Sequence, residues 1–210
     1  MLYIFISIAL IVLTFIIVLV KKKAIFSKNV QLETQDFDPL SIDINQIDKM
    51  EDGSEFEMYL YRLFLALGYS GVYKTVGSRD FGADLVFNDR SGTRNVIQAK
   101  RYSENNPIGI SAIQEVYSSM RFYKAKKSIV IGTSSFTTSC ETLAGINHVK
   151  LLDRQDLIEI IALFKQGNLS KVKDIIEGEP RLILDSWSEY NDHNREIKKD
   201  RKAEILLRSN

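Results

Sequence analysis

The sequence predicts an α/β fold: a mixed central β-sheet flanked by helices, with one N-terminal transmembrane helix before it and a helical extension after it. Three observations carry that prediction. Short β-prone runs alternate with longer stretches whose apolar residues recur at helical spacing. Residues 80–101 read as a hairpin, whose strands are antiparallel, while the strand–helix–strand order that follows requires a parallel neighbour. The first 20 residues are almost wholly apolar, a pattern suited to lipid.

Taken in order, Met1 to Val20 carries no charged side chain, and Lys21-Lys22-Lys23 follows at once. About 20 residues at roughly 1.5 Å each span the hydrocarbon core of a bilayer. A basic start, a shorter apolar core and a small-residue cleavage site would mark a cleaved signal peptide, and these are not seen. We read residues 1–20 as a single-pass anchor. The lysines behind it are expected to hold the rest of the chain, catalytic domain included, on the cytoplasmic side of the inner (cytoplasmic) membrane. Residues 21–50, with Pro39 and scattered acids, read as a linker containing one short helix near Ile42 to Met50.

Ser54 opens a helix with Phe56, Leu60, Leu63, Phe64 and Leu67 on one stripe, and Gly68 closes it as a C′ glycine. Ser54 and Glu57 fit a capping box. A second reading of Glu57 stays open: at about 100° per residue it lies roughly 75° from the stripe's centre, bordering the side where the sheet should lie, against roughly 125° for Glu55. Tyr69 to Thr75 reads as the first strand. Leu85-Val86-Phe87 and Asn95 to Lys100 form the hairpin, with Asn88 to Gly92 as its turn. A loop containing Pro107 leads to a helix from about Ser111 to Tyr123, with Ile113, Val116, Tyr117 and Met120 inward. Ser128 to Gly132 is a buried strand. Thr138 and Glu141 look like a capping box on a short helix, Val149 to Leu152 is the last strand, and Asp156 to Phe164 a further helix. Residues 166–210 form the helical extension, broken at Pro180, with Trp187 read as a packing residue.

Composition excludes more than it identifies. The chain is 45% hydrophobic and 26% charged, ordinary for a globular protein, and its net charge of +1 gives no nucleic-acid signal by itself. The lone Cys140 permits no disulfide within the chain. His148 and His193 share no ligand spacing, which leaves no plausible Cys/His zinc site.

The chemistry concentrates in the hairpin. Alternation along a strand puts Gln98 and Lys100 on one face and Ile97 and Ala99 on the other. Antiparallel pairing brings Asp84 beside Gln98 and Lys100. A carboxylate, an amide oxygen and an ammonium at one strand edge can bind Mg²⁺ and position a water. The same three residues could equally be the solvated polar face of an edge strand.

Gly53-Ser-Glu-Phe-Glu57, Leu67-Gly68-Tyr69, Asp80-Phe-Gly-Ala-Asp84 and Gln98-Ala-Lys100-Arg101-Tyr102, in that order and spacing, resemble the catalytic domain of Mrr-like restriction endonucleases. That family belongs to the PD-(D/E)xK nuclease superfamily, in the branch with Gln for the usual acid. Ile131-Gly-Thr133, Phe136-Thr137 and Val149 to Asp153 before Leu157 match its later strands. The resemblance covers roughly residues 51–165, the span expected to form the endonuclease domain.

The resemblance implies a restriction-endonuclease-like fold and an endonuclease that hydrolyses phosphodiester bonds of double-stranded DNA, foreign or modified. The expected cofactor is Mg²⁺, with Mn²⁺ as a substitute. The implied metal ligands are Asp84, Gln98 and the Ala99 carbonyl, with Lys100 orienting the attacking water or neutralising developing charge. An acid on the first helix faces the metal site in that family, which here is Glu57. Arg79, Arg101 and Lys124 are expected on DNA phosphates. Asp80 could be an acid supporting the metal site from behind or a loop cap, and we read it as the cap. Partners are then DNA, the membrane and a second copy of the chain in a homo-oligomer. Two alternatives stay open: a degenerate nuclease fold serving as a membrane-tethered DNA-binding or assembly module, and a repair or junction-resolving nuclease.

Overall fold

The computed structural model describes residues 37–75 and 81–180. The expected membrane helix, most of the linker, Arg79, Asp80 and the chain from Arg181 onward lie outside the described residues. Among those described, no helix is long and apolar enough to cross a membrane.

Helix α1 (Ile44–Asp48) is the short helix expected in the linker; Asp43 caps it in a capping box with Gln46. Helix α2 (Gly53–Ala66) follows. Its cap differs from the sequence reading. Asp52 is the N-cap, accepting from the Ser54 and Glu55 N–H groups at 2.8 and 3.3 Å. A carboxylate caps as well as a hydroxyl, so the helix starts earlier than expected and Glu57 is not needed as a capping partner. It pairs instead with Lys74 at 2.7 Å. Gly68, at φ +74°, ends the helix as expected, with the Tyr69 N–H reaching back to the Phe64 carbonyl.

The sheet has the order β1 (Ser70–Lys74), β2 (Leu85–Asn88), β3 (Arg94–Lys100), β4 (Lys127–Gly132), β5 (Val149–Leu152). The β1–β2 and β2–β3 pairs are antiparallel, and β3–β4 and β4–β5 are parallel. The hairpin turn is held by Asp89, whose buried carboxylate accepts from the Ser91 and Thr93 N–H groups, the Ser91 hydroxyl and Asn95. Burial opposes its ionisation, but these hydrogen bonds outweigh burial and hold its pKa below the usual carboxylate value.

The parallel pairs need crossovers, supplied by α3 (Ser111–Tyr123) and α4 (Thr138–Asn147). Thr137, one residue before the expected position, caps α4 by accepting from the Cys140 N–H at 3.2 Å, which leaves Glu141 outside any capping box. Helix α5 (Arg154–Lys165), capped by Asp153, and α6 (Leu169–Glu177) complete the domain.

Strand alternation gives the sheet two apolar faces. Leu85, Phe87, Ile97, Ala99, Ile129 and Ile131 pack on α2 and α5. Val86, Val96 and Val130 pack on α3 and α4 through Ile113, Val116, Cys140 and Ala144. The first core reaches beyond residues 51–165: Ile47 of α1 and Val172 and Ile176 of α6 are buried in it. Arg154 binds both carboxylate oxygens of Asp48, at 2.7 and 2.8 Å, and the Thr133 carbonyl, fastening α1 to the start of α5. On α3 the buried residues are Ala112, Ile113, Val116 and Ser119, whereas Tyr117 is exposed, contrary to the sequence reading. The stripe centres on Val116, and the next residue is rotated about 100° out of it.

Candidate active site at the end of the central hairpin

Asp84 sits one residue before β2 and is pinned on both sides by the sheet. Its N–H donates to the Ile97 carbonyl at 2.8 Å, and its carbonyl accepts from the Thr75 N–H at 2.9 Å. The antiparallel register pairs Leu85 with Ile97, which brings the Asp84 side chain to Gln98. Its Oδ2 accepts from Gln98 Nε2 at 2.6 Å and from the Ala99 N–H at 2.7 Å. Asp84 and Gln98 are both buried. A carboxylate removed from water in this way is stable only because donors face it.

The contact with Asp84 orients the Gln98 amide. Its nitrogen is spent on the carboxylate, and its oxygen, Oε1, is buried with no hydrogen-bond partner among the described residues. A buried amide oxygen without a donor calls for an explanation, and a cation position supplies one. Peptide groups of a strand alternate in direction. The Lys100 carbonyl accepts from Thr133, on the β4 side, so the Ala99 N–H and C=O turn toward the Asp84 side.

Lys100, next on the Gln98 face, places its Nζ 2.6 Å from Glu115 Oε2 on α3. Glu115 was not foreseen. The helical wheel offers only a weak signal: Glu115 lies about 100° from Val116 on one side of the buried stripe of α3, as Tyr117 does on the other, and only the crossing of α3 over β3 brings it to Lys100. The two elements are locked by Gly82 (φ +90°), where an added Cβ would lie 2.4 Å from the Glu115 carbonyl oxygen.

These groups line one open cleft of about 480 Å³, together with Glu57 and Arg101. Glu57 comes from α2 on the opposite face of the sheet, so the cleft is reached from both faces only at the strand ends. Arg101 donates to the Asp52 and Glu51 carbonyls, each at 3.2 Å, which ties the start of α2 to the end of β3. Lys124 is not brought to the cleft. It follows α3 at a left-handed C-cap, beside Arg94 at the start of β3, and six residues of strand, about 20 Å, separate that end from Lys100.

The donor set is one carboxylate, one amide oxygen and one peptide carbonyl, with Glu57 lining the same cleft. Among the described residues no group of three or more His, Cys, Asp or Glu could hold a metal ion. All-oxygen donors with few carboxylates suit Mg²⁺, which keeps several waters and takes one or two carboxylates plus substrate phosphates.

Comparison with known proteins gives matches of three kinds. The family model described as Mrr_cat, restriction endonuclease, matches residues 47–161. The type IV methyl-directed restriction enzyme EcoKMrr of Escherichia coli (strain K12) is 29% identical over 139 residues, which is 63% of this chain and 44% of that enzyme. The chain thus spans less than half the length of that relative. Among solved structures, the DNA modification-dependent restriction endonuclease AspBHI is 17% identical over 64% of this chain and 38% of that one, with a TM-score of 0.44. The MspJI restriction endonuclease in complex with a 27-mer oligonucleotide is 20% identical over 62% and 34% of the two chains, with a TM-score of 0.43.

Proposed function

The chain belongs to the Mrr_cat restriction endonuclease family, and from that premise we propose that it is a membrane-anchored, divalent-metal-dependent endodeoxyribonuclease acting on foreign or modified DNA. The observation that carries the reading is the convergence of Asp84, Gln98, Ala99 and Lys100 on one open cleft, with the Gln98 oxygen buried and unpartnered among the described residues.

Asp84, Gln98 Oε1 and the Ala99 carbonyl would hold the cation, Mg²⁺ or Mn²⁺, with Glu57 as a further carboxylate in reach of the cleft. When bound, such an ion offsets phosphate charge and lowers the pKa of a water. The protein's own groups do the rest. The Gln98 and Ala99 N–H donors hold the Asp84 carboxylate in one orientation. Lys100 supplies a compact positive charge at the phosphate as negative charge grows on its oxygens, the electrostatic contribution that dominates such reactions. Glu115 holds the Lys100 ammonium in place. The exposed cations near the cleft position the backbone and carry no sequence information.

Residues 1–20 would anchor this domain to the cytoplasmic membrane, on the side where DNA and free Mg²⁺ are found. Incubation of the full chain in detergent with methylated and unmethylated plasmid DNA, plus Mg²⁺ or Mn²⁺, tests the reading. Asp84→Ala and Lys100→Ala should each abolish cutting with an unchanged circular dichroism spectrum. Variants that cut like the parent would remove the site. A parent that binds DNA in a salt-dependent manner and cuts under no condition would favour the degenerate-module reading.

A further inference from the structure

One flank of α3 carries more than Glu115. Phe122 lies seven residues on, about 20° from Glu115 around the helix and about 10 Å further along it. Phe122 is 58% exposed and Phe81 52%. The two rings meet with centroids 4.0 Å apart and planes at 30°. Phe122 stands edge-on to Tyr123 at 4.9 Å, and Tyr123 in turn lies 6.4 Å from the exposed Tyr73. Exposed large apolar residues are normally scattered; here aromatic rings form a continuous row.

The row is held in place rather than left over. Phe81 has φ +49°, which bulky residues avoid, and Gly82 beside it is packed on the Glu115 backbone. The same two residues therefore fix the ring pair and the wall of the cleft. The surroundings are basic. Arg121 is in the last turn of α3, Lys124 and Lys126 follow, and Arg94 donates to the Tyr123 carbonyl at 3.3 Å. Aromatic faces beside cations are how proteins hold unpaired nucleotides: bases stack on the rings and phosphates meet the cations.

We propose that the Phe81–Phe122 pair is a stacking platform for an unpaired base of the DNA strand held in the cleft. This rests on the nuclease reading of that cleft and deepens it: the preferred substrate carries an unstacked or flipped base two to three nucleotides from the cut bond, since about 10 Å is roughly three steps of a stacked strand. A second copy of the chain is the less suitable occupant. A two-fold contact on this flank would set Arg94, Arg121 and Lys124 against their own duplicates.

The test is binding of the full chain in detergent to fluorescent oligonucleotides, in EDTA so that nothing is cut. The parent should bind a duplex with a two-base bulge at least tenfold more tightly than the perfect duplex. Phe122→Leu, which keeps apolar bulk and loses the π face, should erase about tenfold of that affinity, and Phe122→Trp should retain it. Thermal melts check that both variants fold. Unchanged bulge affinity in Phe122→Leu overturns the platform, whether or not the parent cuts DNA. A fall in particle mass of DNA-free Phe122→Leu by light scattering overturns it in favour of a second copy. Loss of cutting under every metal condition, with the bulge preference intact and Phe122-dependent, refutes the nuclease reading and leaves the base-stacking surface standing.

Discussion

Replacing Gly82 by alanine perturbs the site without touching any side chain proposed to act on DNA. The residue sits at φ +90°, and a Cβ there would lie 2.4, 2.7 and 2.9 Å from the carbonyl oxygen, carbonyl carbon and Cα of Glu115. All three are backbone atoms of α3, which cannot swing aside as a side chain would. The left-handed conformation costs an L-residue about 1–2 kcal/mol, and overpacking adds about 1–3 kcal/mol. The sum, roughly 2–5 kcal/mol, should lower the melting temperature by on the order of 10 °C. The strain is relieved only by moving residues 81–82 away from α3. That motion separates Asp84, two residues on, from the Lys100–Glu115 pair. Cutting should therefore fall by more than the loss of folded protein explains, measured as plasmid nicking well below both melting temperatures. Gly145, inside α4, has no positive φ, and a Cβ added there would meet nothing within 4 Å. It is the control: Gly145→Ala should be neutral or stabilising. A Gly82→Ala variant that melts and cuts like the parent would show that the close approach to Glu115 does not hold the site together.

Glu57→Gln breaks a half-buried pair with Lys74, so it should cost less than about 1 kcal/mol of stability while cutting drops at least tenfold; equal activity would remove Glu57 from the site. Asp89→Ala leaves the Ser91 and Thr93 N–H groups of the turn unpaired and should cost roughly 1–3 kcal/mol in a denaturant titration at pH 7. Because the Asp89 pKa is lowered in the folded state, its contribution is complete above the unfolded value of about 3.9 and is lost as pH falls through the folded value. The gap between parent and variant should therefore close in acid, and a gap independent of pH would contradict the assignment. For the anchor, carbonate washing should leave the full chain in the membrane pellet, and protease outside intact cells should leave the domain uncut; digestion from outside would reverse the proposed orientation.

The hairpin was legible in the sequence because everything that makes it is local. Period-two apolarity set which side chains share a face, Asp89 and Gly92 set the turn, and the resulting register brought Asp84 to Gln98. The helix–strand order was legible for the same reason, as was the parallel sense of β4, since a crossover helix permits no other arrangement. Local rules misled where two residues competed for one role. Asp52 and Thr137 took the N-cap positions assigned to Ser54 and Thr138, because capping depends on where the chain enters the helix and several neighbouring residues can accept the same N–H groups. What neither motif nor period contained was distance across the fold. Glu115 meets Lys100 only because α3 crosses from β3 to β4 over that face of the sheet, and Lys124, expected on phosphates, lies at the opposite end of β3 from Lys100 because α3 runs antiparallel to β3. Gln98 shows the division most plainly. Strand alternation alone placed it beside Asp84, but only burial by the packed helices leaves its oxygen without a donor among the described residues, and that desolvation is what the proposed cation would relieve.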